Sequence, residues 1–190
     1  MLPLLTQLQA LAPPPENPLF SGTPSQWAEV EQKIGTGLPQ DYKALVNLYG
    51  LGCFGERASL LNPFVPDLGP NSGSNFYRAM NFLNQMEKEM EDDRRENPDD
   101  YPPFLAYPSP GGLLPWGQEC SDGGIQCWLT KGNPDDWGCI ILDNDWSEDY
   151  HEFSTTATGF LVGWLTGQIV ISYYPELPLQ QPLFQPFEIE

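Results

Sequence analysis

Residues 110–142 read PGGLLPWGQECSDGGIQCWLTKGNPDDWGCIIL, a series of short apolar runs separated by Gly-Gly, Asp-Gly and Asn-Pro turns and carrying three tryptophans. Short apolar runs bounded by turn formers are the signature of antiparallel strands. The pattern predicts strands over 113–116, 125–130 and 138–142, joined by turns at 121–124 and 133–137. No catalytic signature lies within the stretch.

Upstream, Thr23-Pro24-Ser25-Gln26 opens a helix, with Thr23 as cap, Pro24 at the first position and Gln26 closing a capping box. Gly35 is the expected stop, and Trp27, Val30 and Ile34 share one face. A second helix begins around Pro39 and buries Tyr42, Leu45, Val46 and Tyr49. A strand is expected over 57–61, ended by Asn62-Pro63 at the sheet edge, followed by loop over 66–74. Phe76, Met80, Leu83, Met86 and Met90 recur at helical spacing, which predicts one long helix over 75–96 with a charged outer side, stopped by Pro98.

Downstream, Thr155 and Thr156 cap a last helix whose stripe is Phe160, Leu161, Trp164 and Leu165. The run 169–174 is β-rich, and the proline-punctuated tail after it is expected to be extended and to pack across the domain. Leu4, Leu5, Leu8 and Leu11 predict a short amphipathic helix at the start. That segment lacks the basic residues of a secretory signal, the first base being Lys33, and no run reaches the length of a membrane span.

Three blocks of motifs are similar to one known family. Gly111-Gly112-Leu113-Leu114-Pro115-Trp116-Gly117, then Gly123 and Trp128, then Gly132-Asn133-Pro134-Asp135-Asp136-Trp137 resemble the core of the Smi1/Knr4 (SUKH) superfamily. Trp27, Glu31, Gly35, Leu38-Pro39-Gln40-Asp41-Tyr42-Lys43 and Tyr49-Gly50 resemble its opening motif, and 155–167, TTATGFLVGWLTG, its closing helix. Two departures stand out: Asp122-Gly123-Gly124 replaces the usual Asn-Gly-Asp, and 63–104 has no counterpart. The resemblance implies one α+β domain over 24–167, an antiparallel sheet covered by helices, with Trp116, Trp128, Trp137 and Trp164 in its core. Residues 1–23 are then a helical extension with a Pro-rich linker, and 168–190 a Pro-rich extension packed on the domain.

Twenty-six acids against eight bases give a net charge of -18, which disfavours nucleic acid and anionic membrane as partners and favours a basic protein. The imbalance is concentrated: no Lys or Arg follows Lys131, whereas 132–190 hold ten acids. With no secretory signal, Cys53, Cys120, Cys127 and Cys139 are expected to be reduced, buried thiols of a cytoplasmic protein.

Sites for chemistry are few. Gly50-Leu51-Gly52-Cys53-Phe54-Gly55 spells GxGxxG but follows a helix and leads into a strand, the reverse of a nucleotide-binding loop. No Walker A, HExxH or GxSxG sequence occurs. The one histidine, His151, reads as a surface residue, and pairing it with Cys139 as a nucleophile has no support from the local sequence. The cysteines lack a CxxC pair, and Asp143-Asn144-Asp145-Trp146-Ser147 starts like a calcium loop but carries Glu148 at the turn glycine and Ser154 at the closing glutamate. No metal or cofactor is expected.

The resemblance also implies function, because many bacterial members look like immunity proteins that neutralise toxin domains, often nucleases, while eukaryotic relatives act as regulatory scaffolds. The expectation is therefore a non-enzymatic binding module facing a basic toxin domain. Asp135, Asp136, Asp143, Asp145, Glu148, Asp149 and Glu152 would supply the acidic contacts, with Trp146 and Tyr150 as apolar anchors. A regulatory scaffold is the alternative, and a hydrolase using metal held by the acids of 143–152 a more distant one.

Overall fold

Among the described residues, seven short strands make one antiparallel sheet in the order β6-β5-β4-β3-β2-β1-β7. In chain order these are β1 (Gly52–Phe54), β2 (Ala58–Leu60), β3 (Leu113–Glu119), β4 (Ile125–Leu129), β5 (Gly138–Leu142), β6 (Tyr150–Phe153) and β7 (Phe184–Pro186). Six α-helices accompany them among the described residues: α1 (Leu2–Leu11), α2 (Pro24–Ile34), α3 (Gln40–Tyr49), α4 (Phe76–Glu89), α5 (Glu91–Glu96) and α6 (Ala157–Leu165). The computed structural model describes residues 2–67, 74–120, 124–143, 150–174 and 181–187. The α+β class and the antiparallel sheet read from 110–142 are thus those of the protein.

The strands look continuously apolar because the sheet is covered on both sides. Trp128 of β4 and Cys139 and Ile141 of β5 face a large cluster built with α1, α2, α3 and α6, while Ile125, Cys127, Ile140 and Leu142 face a smaller one that includes Leu83 of α4. Trp116 and Trp128 are fully buried, and Trp137 and Trp164 nearly so. Tyr42 connects the layers, standing edge-on to Trp128 at 4.8 Å and donating its hydroxyl to the Leu61 carbonyl.

The local signals for α2 hold as read. Thr23 and Gln26 form the capping box, and Gly35 ends the helix at φ 80°. The N-terminal leucines form α1, with Leu8 buried in the large cluster.

Several expectations change. β3 extends to Glu119 through a bulge at Pro115–Gly117, where the register against β4 shifts. β2 sits inside the sheet, between β3 and β1, since β1 and the tail strand β7 continue it outward. The long helix over 75–96 is two helices that meet at Met90. The break has an electrostatic reason: Glu91, Asp92 and Asp93 would oppose the dipole at the end of a continuous helix, but they occupy the first turn of α5, whose last turn carries Arg94 and Arg95. Helix α6 is buried on every side and not along a stripe. Residues 169–174 form turns, not a strand. Cys53 and Cys120 are joined in a disulfide, so only Cys127 and Cys139 remain the buried thiols expected of all four.

Candidate functional site: an acidic cleft at the end of the sheet

The sequence Gly132-Asn133-Pro134-Asp135-Asp136 stops β4 and re-aims the chain into β5. Asn133 accepts from the Asp135 N–H, Pro134 suits the first position, and Pro134–Asp136 closes into a single 3-10 turn. That turn holds both aspartates at the surface beside the Gly138 end of β5. The neighbouring strand β6 pairs Phe153 with Cys139 and Glu152 with Ile140, which brings Glu152 to the same end of the sheet.

The result is a cleft of about 330 Å³ whose wall includes Asp135, Asp136 and Glu152 together with Lys131, with Leu129, Trp137 and Phe153 as apolar lining, and Ser154, Thr155 and Thr156 as hydroxyls. Three of the predicted contact residues therefore converge although Glu152 lies far along the chain from the aspartates. Lys131 and the hydroxyl run were not anticipated; Thr155 and Thr156 carried a signal only as helix caps, and Thr156 does cap α6 through the Gly159 N–H at 3.2 Å.

Asp135 has a second task. Its Oδ1 accepts from the Gln40 N–H at 2.7 Å, supplying the cap that Pro39 cannot give to α3. Asp136 and Glu152 are exposed.

Other predicted residues lie elsewhere. Asp143 follows the opposite end of β5, about 17 Å from Gly138 at ~3.4 Å per residue. Its charge instead acts on Tyr173, whose hydroxyl is pushed up by burial, then by Glu119 and Asp143, with Arg57 opposing. Tyr150 is half-buried and packs edge-on against Phe104 at 5.1 Å, so its ring belongs to the smaller core cluster. Asp145, Trp146, Glu148 and Asp149 fall outside the described residues, as does most of the segment resembling a calcium loop.

The chemistry of a nucleophile is opposed here. The Cys139 thiol donates to the Thr155 carbonyl at 3.3 Å, and burial, followed by the charge of Asp41, pushes it up against a smaller opposing effect of Trp116. A catalytic cysteine needs the reverse. His151 is half-buried, lying nearly parallel to the Phe153 ring at 6.2 Å and near Tyr173 at 5.9 Å. Among the described residues, no three His, Cys, Asp or Glu side chains are grouped to hold a metal ion, and no helix is long and apolar enough to cross a membrane.

A protein-family model described as SMI1-KNR4 cell-wall matches residues 24–161. No curated protein and no solved structure matches the chain.

Proposed function

This chain belongs to the SMI1-KNR4 family, and from that premise we propose that it is a non-enzymatic binding module that neutralises a basic toxin domain of the nuclease type. The observation that carries the reading is the convergence of Asp135, Asp136 and Glu152 in one cleft of a protein with net charge -18. A nuclease is basic where it meets phosphate. An acidic inhibitor steers onto that surface, speeds its own association and occludes the active site. Trp137 and Phe153 give the cleft apolar lining against which the stem of an inserted Lys or Arg can pack while the carboxylates meet its head. Asp143, Asp145, Trp146, Glu148 and Asp149 are proposed, on charge and residue type alone, as further contacts for the partner.

We place the protein in the cytoplasm of the cell it protects, where a Cys53–Cys120 bond is transient. The family description also favours a second reading, a regulatory scaffold of the Smi1/Knr4 type, which would bind several partners instead of one tight basic one.

Co-expression with candidate basic nuclease domains tests the first reading. Protection and binding should be lost on combining Asp136→Lys with Glu152→Lys, and the association rate should fall as salt rises. Protection that survives the double reversal removes this cleft as the interface. Pull-downs returning several unrelated partners and no basic one favour the scaffold.

A further inference from the structure

The C-terminal strand β7 joins the sheet through β1, with Leu183 and Phe184 buried in the large core cluster. β7 pairs with β1 along Gly52–Pro186, Cys53–Gln185 and Phe54–Phe184, and the Gly55 N–H donates to the Leu183 carbonyl at 2.8 Å. Phe187 closes the far end by donating to the Leu51 carbonyl at 3.1 Å. At the root of the segment, Arg57 donates to the Tyr173 carbonyl at 3.0 Å while paired with Glu119 at 3.1 Å. Phe184 then covers Tyr49 and Phe54, with ring centroids 4.9 and 4.8 Å away.

The hairpin buries Phe54, Ala58 and Leu60 in the large cluster, but its backbone pairing to the rest of the sheet is short. Its strands are three residues long and pair with β3 over only Ala58–Glu119, Ser59–Gln118 and Leu60–Gly117. Strands this short are weak unless something else fixes them. Here the Cys53–Cys120 disulfide spans β2 and ties the outer strand to the residue that follows β3, with Cα atoms 6.5 Å apart. Cys120 also donates its N–H to the Arg57 carbonyl at 2.8 Å, so bond, ion pair and tail anchor form one unit.

We propose that the Cys53–Cys120 disulfide is a redox-operated latch that fixes the β1–β2 hairpin, and through it the C-terminal segment, to the rest of the sheet. Access fits the role: Cys120 is exposed, whereas Cys53, Cys127 and Cys139 are buried. A dithiol reductant attacks the Cys120 sulfur as thiolate and releases the Cys53 sulfur, which takes up a proton. The second thiol of the reductant then displaces Cys120, so the protein gains two electrons and two protons and the reductant leaves as its own disulfide. In a reducing compartment a bond of this kind is transient, and the latch stands open until conditions become oxidising.

The test begins with thiol counting on air-oxidised full-length protein, unfolded without reductant. Two reactive thiols are expected, and four would overturn the proposal. Hydrogen exchange of the folded protein, before and after brief dithiothreitol treatment, then reads the latch. Amides in 51–61 and 181–187 should exchange at least ten-fold faster after reduction, while those in 125–142 stay unchanged. The apparent Tm should fall on the order of 10 °C. Cys120→Ser should reproduce the reduced pattern without reductant; if it does not fold, the reduced wild-type protein still decides the matter. Unchanged exchange in 181–187 after verified reduction rejects the latch.

Discussion

Thr158 donates its backbone N–H at 3.0 Å to Oδ2 of Asp41, a carboxylate only 2% exposed and 117 residues earlier in the chain. Oδ1 of the same carboxylate accepts from the Tyr42 N–H at 2.9 Å. Asp41 therefore places a negative charge at the buried start of α6, where the helix dipole is positive and an N–H lacks an intrahelical acceptor. Because Asp135 serves α3 in turn, the first turns of α3 and α6 each receive an aspartate from a distant part of the chain.

Asp41→Ala leaves buried N–H groups without a partner and should cost about 2–3 kcal/mol, the range for losing hydrogen bonds to a charged group. Asp41→Asn keeps one of the two acceptors but turns an amide NH2 toward the other N–H, so it should cost more than the roughly 1 kcal/mol of the helix-dipole share. Urea denaturation measures both. Variants as stable as the wild-type protein would mean that the hydrogen bonds to Asp41 contribute nothing.

Asp135 and Asp136 are neighbours with different duties. Loss of the α3 cap should make Asp135→Ala about 1 kcal/mol less stable, while Asp136→Ala, at an exposed site, stays within about 0.5 kcal/mol of wild type. Thermal unfolding of the two variants checks this. The outcome also shows why Asp136 and Glu152 are the clean positions for testing partner binding: reversing Asp135 would perturb the fold as well.

Stability should respond to acid through Glu31. Burial raises its carboxyl, but the Lys43 ammonium at 2.7 Å, the Leu38 N–H at 2.9 Å and the charge of Lys43 outweigh that and hold it below the ordinary value of 4.5. A carboxyl depressed in the folded state contributes stability that is complete above its unfolded pKa and disappears as pH falls through the folded one. Comparing Glu31→Gln with wild type in urea, the deficit should be full near neutral pH and shrink below 4.5. A deficit independent of pH would assign the effect of Glu31 to packing.

The glycine string that spells a nucleotide loop is explained by crowding. Gly50 has φ +62°, and a Cβ there would press into the backbone of Leu19; at Gly52 it would meet the Phe184 ring. Gly50→Ala should therefore cost about 1–3 kcal/mol through strain alone. Gly52→Ala should push Phe184 off Tyr49 and Phe54 and loosen β7, read as faster proteolysis and hydrogen exchange within 181–187. Protection retained there would place the docking of β7 on other contacts.

Much of the fold was readable because its signals act over a few residues. The Thr23–Gln26 capping box, the stop at Gly35, the turns around Gly132 and Asn133 and the apolar runs of β3, β4 and β5 each depend on neighbours within one turn or one strand. The break at Met90 was legible in principle, since the acids after it suit a helix start better than a helix end, but the continuous period of Phe76, Leu83 and Met90 masked it. Of the candidate surface, the acidic character was legible and the grouping was not. Asp136 and Glu152 share a cleft with Lys131, whereas Asp143, with equal claim in sequence, stands at the other end of β5.

The amino-acid sequence by itself determined the acidic surplus and the local helix, strand and turn signals, which follow from residue types and short-range spacing, and its motifs carried the resemblance that implied the family, the α+β class and the tryptophan core. The tertiary structure alone decided that β7 extends the sheet past β1, that Cys53 meets Cys120 across β2, that Asp41 and Asp135 start helices far from them in sequence, and which carboxylates face one cleft. Those pairings join segments separated by tens of residues. Local spacing carries no record of such neighbours, because strand order and helix packing choose them only when the whole chain has closed around its core.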